Sequence, residues 1–399
     1  MSLPLEGVRV VELGLWVAGP AAAAILADWG ADVLKVEPPG GDPFRGIFQA
    51  LAGLRTEGSP PFELDNRGKR SLVLDLKTEA GRAALERELA AADVFLSNYR
   101  RSALERLGLA PDELRRRYPR LVVCHVSGYG ARGPEADRHG YDVAAFWARS
   151  GAALSMTPEG AEIPLMRGGF GDHTTALAAV GGICAALAAR ARSGQGELVE
   201  TSLLRTGAYV MGWDTAVQLH YGRLAPPERR TAPMNPLINP YRAGDGRWFW
   251  ILGLEADRHW PATARAAGHP EWLDDPRFAG AAARRRNARE LVGLLDEALA
   301  RHGLAHWAGV FDREGVWWAP VQSTAELVRD PQAEAAGVFV ELPPAGRGGS
   351  VRRSVASPVD FGGKTPRPRG PAPPLGSEPA PRGAGASGVD RRPPRVPEE

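Results

Sequence analysis

Asp172 stands in the stretch RGGFGDHTTALAAVGGICAALAAR, Arg167 to Arg190, where three glycines around a phenylalanine lead into a run of small apolar residues. An ionised carboxylate among bare glycine backbone can attack an acyl group, with glycine N–H groups available to the oxyanion that forms. Gly169 and Gly171 also let a ligand approach the backbone closely. A plainer role suits the same residue. Asp is a strong helix N-cap, and the Thr174, Thr175 and Ala/Leu/Val/Ile run that follows reads as a helix. A helix N-terminus stabilises the ionised form, so Asp172 is expected to be charged at neutral pH.

Other chemistry-bearing residues are less decisive. GYGARG, Gly128 to Gly133, has the G-x-G-x-x-G spacing, but Pro134 and the polar EADRHG stand where a dinucleotide fingerprint needs a helix, so it reads as a glycine-rich loop. Arg67, Lys69 and Arg70, then Arg100, Arg101 and Arg106, cluster near strand ends. There they are either solvated surface or a site for a polyphosphate. His125, His139 and His173 form no metal set, having neither an i, i+4 pair nor a carboxylate at ligand spacing. His173 is either a proton relay beside Asp172 or polar surface. No G-x-S-x-G is present, and Cys124 falls mid-strand, so neither a serine nor a cysteine nucleophile is assigned.

The elements that must position these residues follow from periodicity. Strands are expected at 8–11, 33–36, 71–76, 94–96 and 121–126, alternating with helices from Pro20, from Thr78 to about Ala91, and over 102–107. That alternation predicts a doubly wound, Rossmann-like α/β domain. A strand at 197–202 and one long helix, Leu203 to Tyr221, follow. A linker at 226–240 leads to a hairpin, three helices and a strand, VWWAPVQ. The expected division is a large α/β domain over 1–225, a smaller α+β domain over 226–325, a return to the large domain over 326–361, and a Pro/Gly-rich disordered tail over 362–399. Most of the eleven tryptophans fall in the small domain and are expected to form its core.

The 399 residues carry a net charge of +2, too balanced for a dedicated nucleic-acid binder. The apolar run Ala176–Ala189 is too short to span a bilayer. Cys124 and Cys184 suit free thiols in a reducing compartment, and the N-terminus reads as lacking an export signal, so a cytoplasmic enzyme is expected.

Taken together, the segments GVRVVELG, ADVLKVEPPGGDPFR, NRGKRSLVLDLKT, ADVFLSNYR, SGYGARGP, GDHTTALAAVGGICAAL, SGQGELVETSLL, VWWAPVQS and ELVRDPQ resemble the family III CoA-transferases in collinear order from Leu5 to Leu375. The group includes formyl-CoA transferase and carnitine CoA-transferase, with α-methylacyl-CoA racemase as a relative. The resemblance implies an interlocked homodimer whose chains thread through one another. It also implies that CoA moves from an acyl-CoA to a carboxylic acid. Asp172 would pass through a mixed anhydride to an aspartyl-CoA thioester. CoA thioesters would be substrates, with no permanently bound cofactor, no metal, no nucleic acid and no membrane.

By the same resemblance Trp16, Val17 and Ala18 line the CoA site, while Lys69, Asn98, Tyr99 and Arg106 hold its adenine and phosphates. His139, Tyr141 and Asp142 fall near the pantetheine arm or acyl pocket. The chain departs from formyl-CoA transferase at Pro38, where a basic residue is expected. GLEADRHW stands where that enzyme has a glycine-rich lid, which argues against formyl or oxalyl substrates. PAPPLG runs on into SEPAPRGAG instead of a helix. Two rival readings are an acyl-CoA racemase and a non-catalytic CoA-binding protein. A racemase needs a second acid/base, supplied in that group by a histidine where this chain has Tyr141, although His139 shares a face with it.

Overall fold

The computed structural model describes residues 3–47, 59–344 and 351–378. They form two compact units. The first comprises the described residues up to Phe146, then Arg167–Gly207, then those from Phe339 onward. Its centre is a six-stranded sheet built from β1 (Arg9–Leu13), β2 (Asp32–Glu37), β3 (Arg70–Val73), β4 (Val94–Ser97), β5 (Val122–Ser127) and β6 (Leu198–Ser202). The strands run parallel in the order β3-β2-β1-β4-β5-β6.

Such a sheet needs apolar side chains on both faces, and the strands supply them by alternation. Val10, Val33, Val94, Val122 and Cys124 face α1 (Ala18–Asp28) and the long helix Phe170–Ser193. Val11, Leu34, Phe95 and Val123 face a second layer with Leu85, Leu104 and Leu114 from the helices Glu79–Ala90, Arg101–Arg106 and Pro111–Arg117. We number the helices of this unit α2 (Pro60–Asn66), α3 (Glu79–Ala90), α4 (Arg101–Arg106), α5 (Pro111–Arg117) and α6 (Phe170–Ser193). Strand order reverses between β1 and β4, so a crevice opens at their carboxyl ends.

α6 has 24 residues and is long and apolar enough to cross a membrane, beyond the shorter run counted from the sequence. Here its Ala176, Ala179 and Ile183 pack with Ala22, Ala23 and Leu26 of α1, the alanines letting the two helices approach closely.

The second unit, Trp147–Met166 with Ala208–Val338, holds the antiparallel sheet β7 (Ile238–Arg242), β8 (Trp248–Leu252) and β9 (Trp318–Pro320). Trp260, Trp272 and Trp307 are in its core with Phe249 and Phe311. The expectation of a tryptophan core holds for these and for Trp318, which packs against them, but not for Trp213, 85% exposed, or Trp317, 54% exposed. The unit boundaries also differ from the expected 225/226 and 325/326 breaks. Residues 147–166 belong to the second unit, the predicted single helix 203–221 is two helices broken at Met211, and the return begins at Phe339.

The expected disordered tail is corrected over residues 362–378. Gly68 N donates to Gly370 O (2.9 Å), Arg45 Nη1 to Pro373 O (3.0 Å), and Glu378 N to Ser71 O (2.9 Å). Proline removes some backbone donors, but the remaining amides and the carbonyls of this segment pair with the sheet edge and with arginine, which composition does not reveal. Residues 379–399 of that expectation lie outside the described residues.

Candidate active site

β1 ends at Leu13, and the chain must then turn tightly into α1. Asn98, just past β4, clamps that turn from across the crevice: Leu15 N donates to Asn98 Oδ1 (3.0 Å) and Asn98 Nδ2 to Leu15 O (2.7 Å). Trp16 follows at φ 65°, the left-handed region that costs a non-glycine residue about 1–2 kcal/mol. Its amide donates to Asp42 Oδ1 (3.2 Å), and its ring meets Tyr141 edge-on at 5.7 Å.

Beneath this turn lies a buried, charge-balanced set. Lys35 Nζ contacts Glu12 (2.9 Å), Asp42 (3.0 Å) and Gly14 O (2.9 Å). Lys69 Nζ contacts Glu12 (2.7 Å), Asn66 (3.0 Å) and Pro20 O (2.9 Å). Burial pulls the Lys69 ammonium down to about 8 against the pull of Glu12. Burial alone would raise the Glu12 carboxyl, but Lys35 and Lys69 together hold it below its usual range.

The helix carrying Asp172 begins one turn earlier than its sequence implied. Gly169, at φ 84°, is the N-cap, and Asp172 is the third residue of α6. Asp142 fixes the start: its Oδ2 accepts from Gly169 N (2.9 Å) and its Oδ1 from Val143 N (2.8 Å). The Gly169 amide is therefore committed to Asp142. His173 N is the first amide bonded along the helix, to Gly169 O (2.8 Å). The amides of Phe170, Gly171 and Asp172 precede it and have no intrahelical acceptor. A Cβ on Gly171 would lie 2.6 Å from Phe146 and 2.9 Å from Asp142, so only glycine lets the first turn sit against them.

The Asp172 side chain has no hydrogen-bond partner among the described residues. Burial, then the neighbouring Asp142 carboxylate, then Asp65, push its carboxyl up to about 7 against the opposing His173. The expectation of a fully charged Asp172 is thereby corrected. His173 Nε2 binds Asp65 Oδ1 at 2.9 Å, and that bond raises the imidazole above its ordinary value against burial. The His173 ring covers Gly169 on the side where Val17 also arrives.

The structure thus brings Trp16, Val17, Tyr141, Asp142, Gly169, Gly171 and Asp172 together. Lys69 is enclosed with all its contacts internal, and Asn98 spends its amide on Leu15. Ala18 is buried in the first turn of α1. Arg67 is buried on Asp28 (2.7 Å). His139 and Arg106 are exposed, with no side-chain hydrogen bond to a described residue. Tyr99 lines a cleft of about 290 Å³ at the strand ends, together with Pro38, Pro39, Leu76, Lys77 and Leu107. Sequence reasoning singled out neither Lys77 nor Asp65. The basic residue inside the quoted SLVLDLKT segment was the only available signal for the first. The Asp65–His173 contact joins residues 108 apart and had none. No cluster able to hold a metal occurs among the described residues. The GYGARG loop runs into turns, not a helix, as its proline implied.

Comparison with known proteins fits this geometry. The family model described as CoA-transferase family III matches residues 5–378. The chain is 33% identical to the (R)-2-hydroxy-4-methylpentanoate CoA-transferase of Clostridioides difficile, covering 93% of this chain and 92% of that protein. It is also 33% identical to the succinate–glutarate CoA-transferase of Agrobacterium fabrum, with 94% of each covered. A CAIB/BAIF family protein from Brucella suis superposes with a TM-score of 0.82 at 30% identity, over 94% of this chain and 97% of that one. With a glycine-framed carboxylate at a helix start beside the β1–α1 turn, and a match along nearly its whole length, the chain belongs to CoA-transferase family III.

Proposed function

We propose that this CoA-transferase moves CoA from an acyl-CoA donor to a carboxylic acid acceptor through an aspartyl-CoA thioester on Asp172. The observation that carries the reading is the Asp172 carboxylate itself. It has no hydrogen-bond partner among the described residues, is partly shielded from water, and is set at a helix start where the amides of Phe170 and Gly171 have no intrahelical acceptor. A carboxylate with a raised pKa and few hydrogen bonds is a stronger nucleophile than a solvated one. The amides of Phe170 and Gly171 are candidate donors to the oxyanion.

Trp16, Val17 and Ala18 would then flank the CoA chain, with Tyr141 shaping the acyl side. The cleft lined by Tyr99, Pro38 and Pro39 suits the adenine face, and Lys77 and the exposed Arg106 suit its phosphates. Lys69 and Asn98 support the turn from below, since their polar atoms are already used. Asp142 positions the helix start through Gly169.

The test is mass spectrometry of the protein after exposure to an acyl-CoA panel, looking for CoA on Asp172 trapped by hydroxylamine or borohydride. Asp172→Asn should lose both the adduct and acyl exchange to any carboxylate. Rapid α-deuterium wash-in with neither adduct nor exchange would sink the aspartyl route.

A further inference from the structure

Asp172 is not the only group at its site that can move a proton. The His173 imidazole is fixed at Nε2 by the buried Asp65 carboxylate of α2, 2.9 Å away. Its Nδ1 has no partner among the described residues, and its side chain is 45% exposed. Both Nδ1 (3.3 Å) and Cε1 (3.2 Å) border the point where a Gly169 Cβ would sit, and Val17 Cγ1 borders the same point at 4.0 Å. The free nitrogen therefore lies between the helix start that carries Asp172 and the β1–α1 turn. A chain arriving along that turn with its reactive end at Asp172 would run close to it.

We propose that His173, oriented by Asp65, is the acid that serves the CoA sulfur when the thioester bond breaks. The inference rests on the aspartyl route proposed above. In the first step an Asp172 oxygen uses a lone pair to form a bond to the thioester carbonyl carbon, and the π pair moves to the carbonyl oxygen. Collapse returns that pair and expels the C–S pair onto sulfur, while Nδ1–H of His173 gives its proton to the sulfur. The anhydride and a CoA thiol result. In the second step His173 takes the proton back as the sulfur attacks the Asp172 carbonyl carbon, and the acyl group leaves as a carboxylate. The acceptor carboxylate reverses both steps, so no proton is consumed.

The charges around the ring favour this use. Asp65 acts on it from α2, Asp172 from its own helix and Asp142 from the segment after β5, and all three favour the imidazolium. Lys69 and Arg67, with His173, favour the ionised form of Asp65 against its burial. Asp172 and His173 each favour the charged form of the other, and the active form has the carboxylate ionised and the imidazole protonated.

The experiment follows single-turnover formation of the Asp172 adduct against pH, with whichever of acetyl-, succinyl- or 2-hydroxyacyl-CoA gives wild type its highest yield. Wild type is expected to give a bell. His173→Gln should be slowed about 10²-fold, within the usual range for loss of a general acid, and should lose the alkaline limb while KM for the acyl-CoA stays within about threefold. Asp65→Asn should keep that limb but move it to lower pH, because the imidazole loses its anionic partner. A folded His173→Gln protein within about fivefold of wild type would overturn the proposal, as would a slow one that keeps the alkaline limb. Absence of any adduct on wild type would instead remove the aspartyl route, and this inference with it.

Discussion

At Asp172 two effects oppose one another. A helix N-terminus favours the carboxylate by about 0.3–1 kcal/mol. One pKa unit corresponds to about 1.4 kcal/mol, so a rise from 3.8 to about 7 exceeds that help several times over. Burial and the nearby Asp142 win. The folded group keeps a proton that the unfolded chain has released, so between pH 3.8 and about 7 this residue makes stability fall as pH rises. Asp172→Asn, which cannot ionise, is expected to raise the unfolding midpoint at pH 8 and to leave it nearly unchanged near pH 4. Thermal unfolding of both proteins at the two pH values checks this. Equal shifts at both would mean that Asp172 titrates normally. The nucleophile was legible in the sequence because its glycine frame is local. Its protonation was not, because Asp142, Asp65 and the enclosing surface reach it from distant segments.

The β1–α1 turn shows what elements add to residues. Trp16 occupies a conformation its side chain disfavours, and Asn98 and Lys35 hold the backbone just before it while Asp42 holds its own amide. Lys35 is central, being fully buried between Glu12 and Asp42 while it also bonds Gly14 O. Lys35→Met would leave two buried carboxylates with one ammonium between them, and losing one partner of such a set costs about 3–5 kcal/mol. We expect a fall in chemical-denaturation stability of that order, together with weaker acyl-CoA binding as the turn loosens. A loss below about 1 kcal/mol would show that water reaches the set. Alternation alone placed most of these strands within a residue or two, since apolar runs must be buried on both faces. What it could not show is that Lys69 points inward. Glu12 and Lys69 stand 57 positions apart and meet only once β1, β2 and β3 are side by side. The segment 362–378 was misread for a related reason. Its order comes from Ser71, Arg45 and Gly68, not from its own composition.

At the scale of the whole molecule, the second unit leaves an unusual surface in water. The helix Gly212–Tyr221 has no buried residue, and Trp213 (85%), Leu219 (82%) and Tyr221 (69%) are among its exposed side chains. Tyr209 and Leu165 of the same unit are exposed at 85% and 97%. Large apolar side chains exposed together on one helix, as Trp213, Leu219 and Tyr221 are, mark an interaction surface more often than a free one. We propose on this basis, and on the interlocked homodimer that the family resemblance implies, that two copies of the chain interlock. Threaded chains cannot part without local unfolding, so their separation is governed by an unfolding barrier and not by dilution. Analytical ultracentrifugation is expected to find a dimer from micromolar down to nanomolar protein. Tagged and untagged dimers, mixed under native conditions, should fail to exchange subunits until denaturant is added. Trp213→Asp places a charge on this surface and should lower the yield of dimer, whereas an equal change at the exposed Arg132 should not. A monomer–dimer equilibrium that reverses within minutes at micromolar protein would rule out threading, and leave the apolar helix covered by an ordinary side-by-side contact or by nothing.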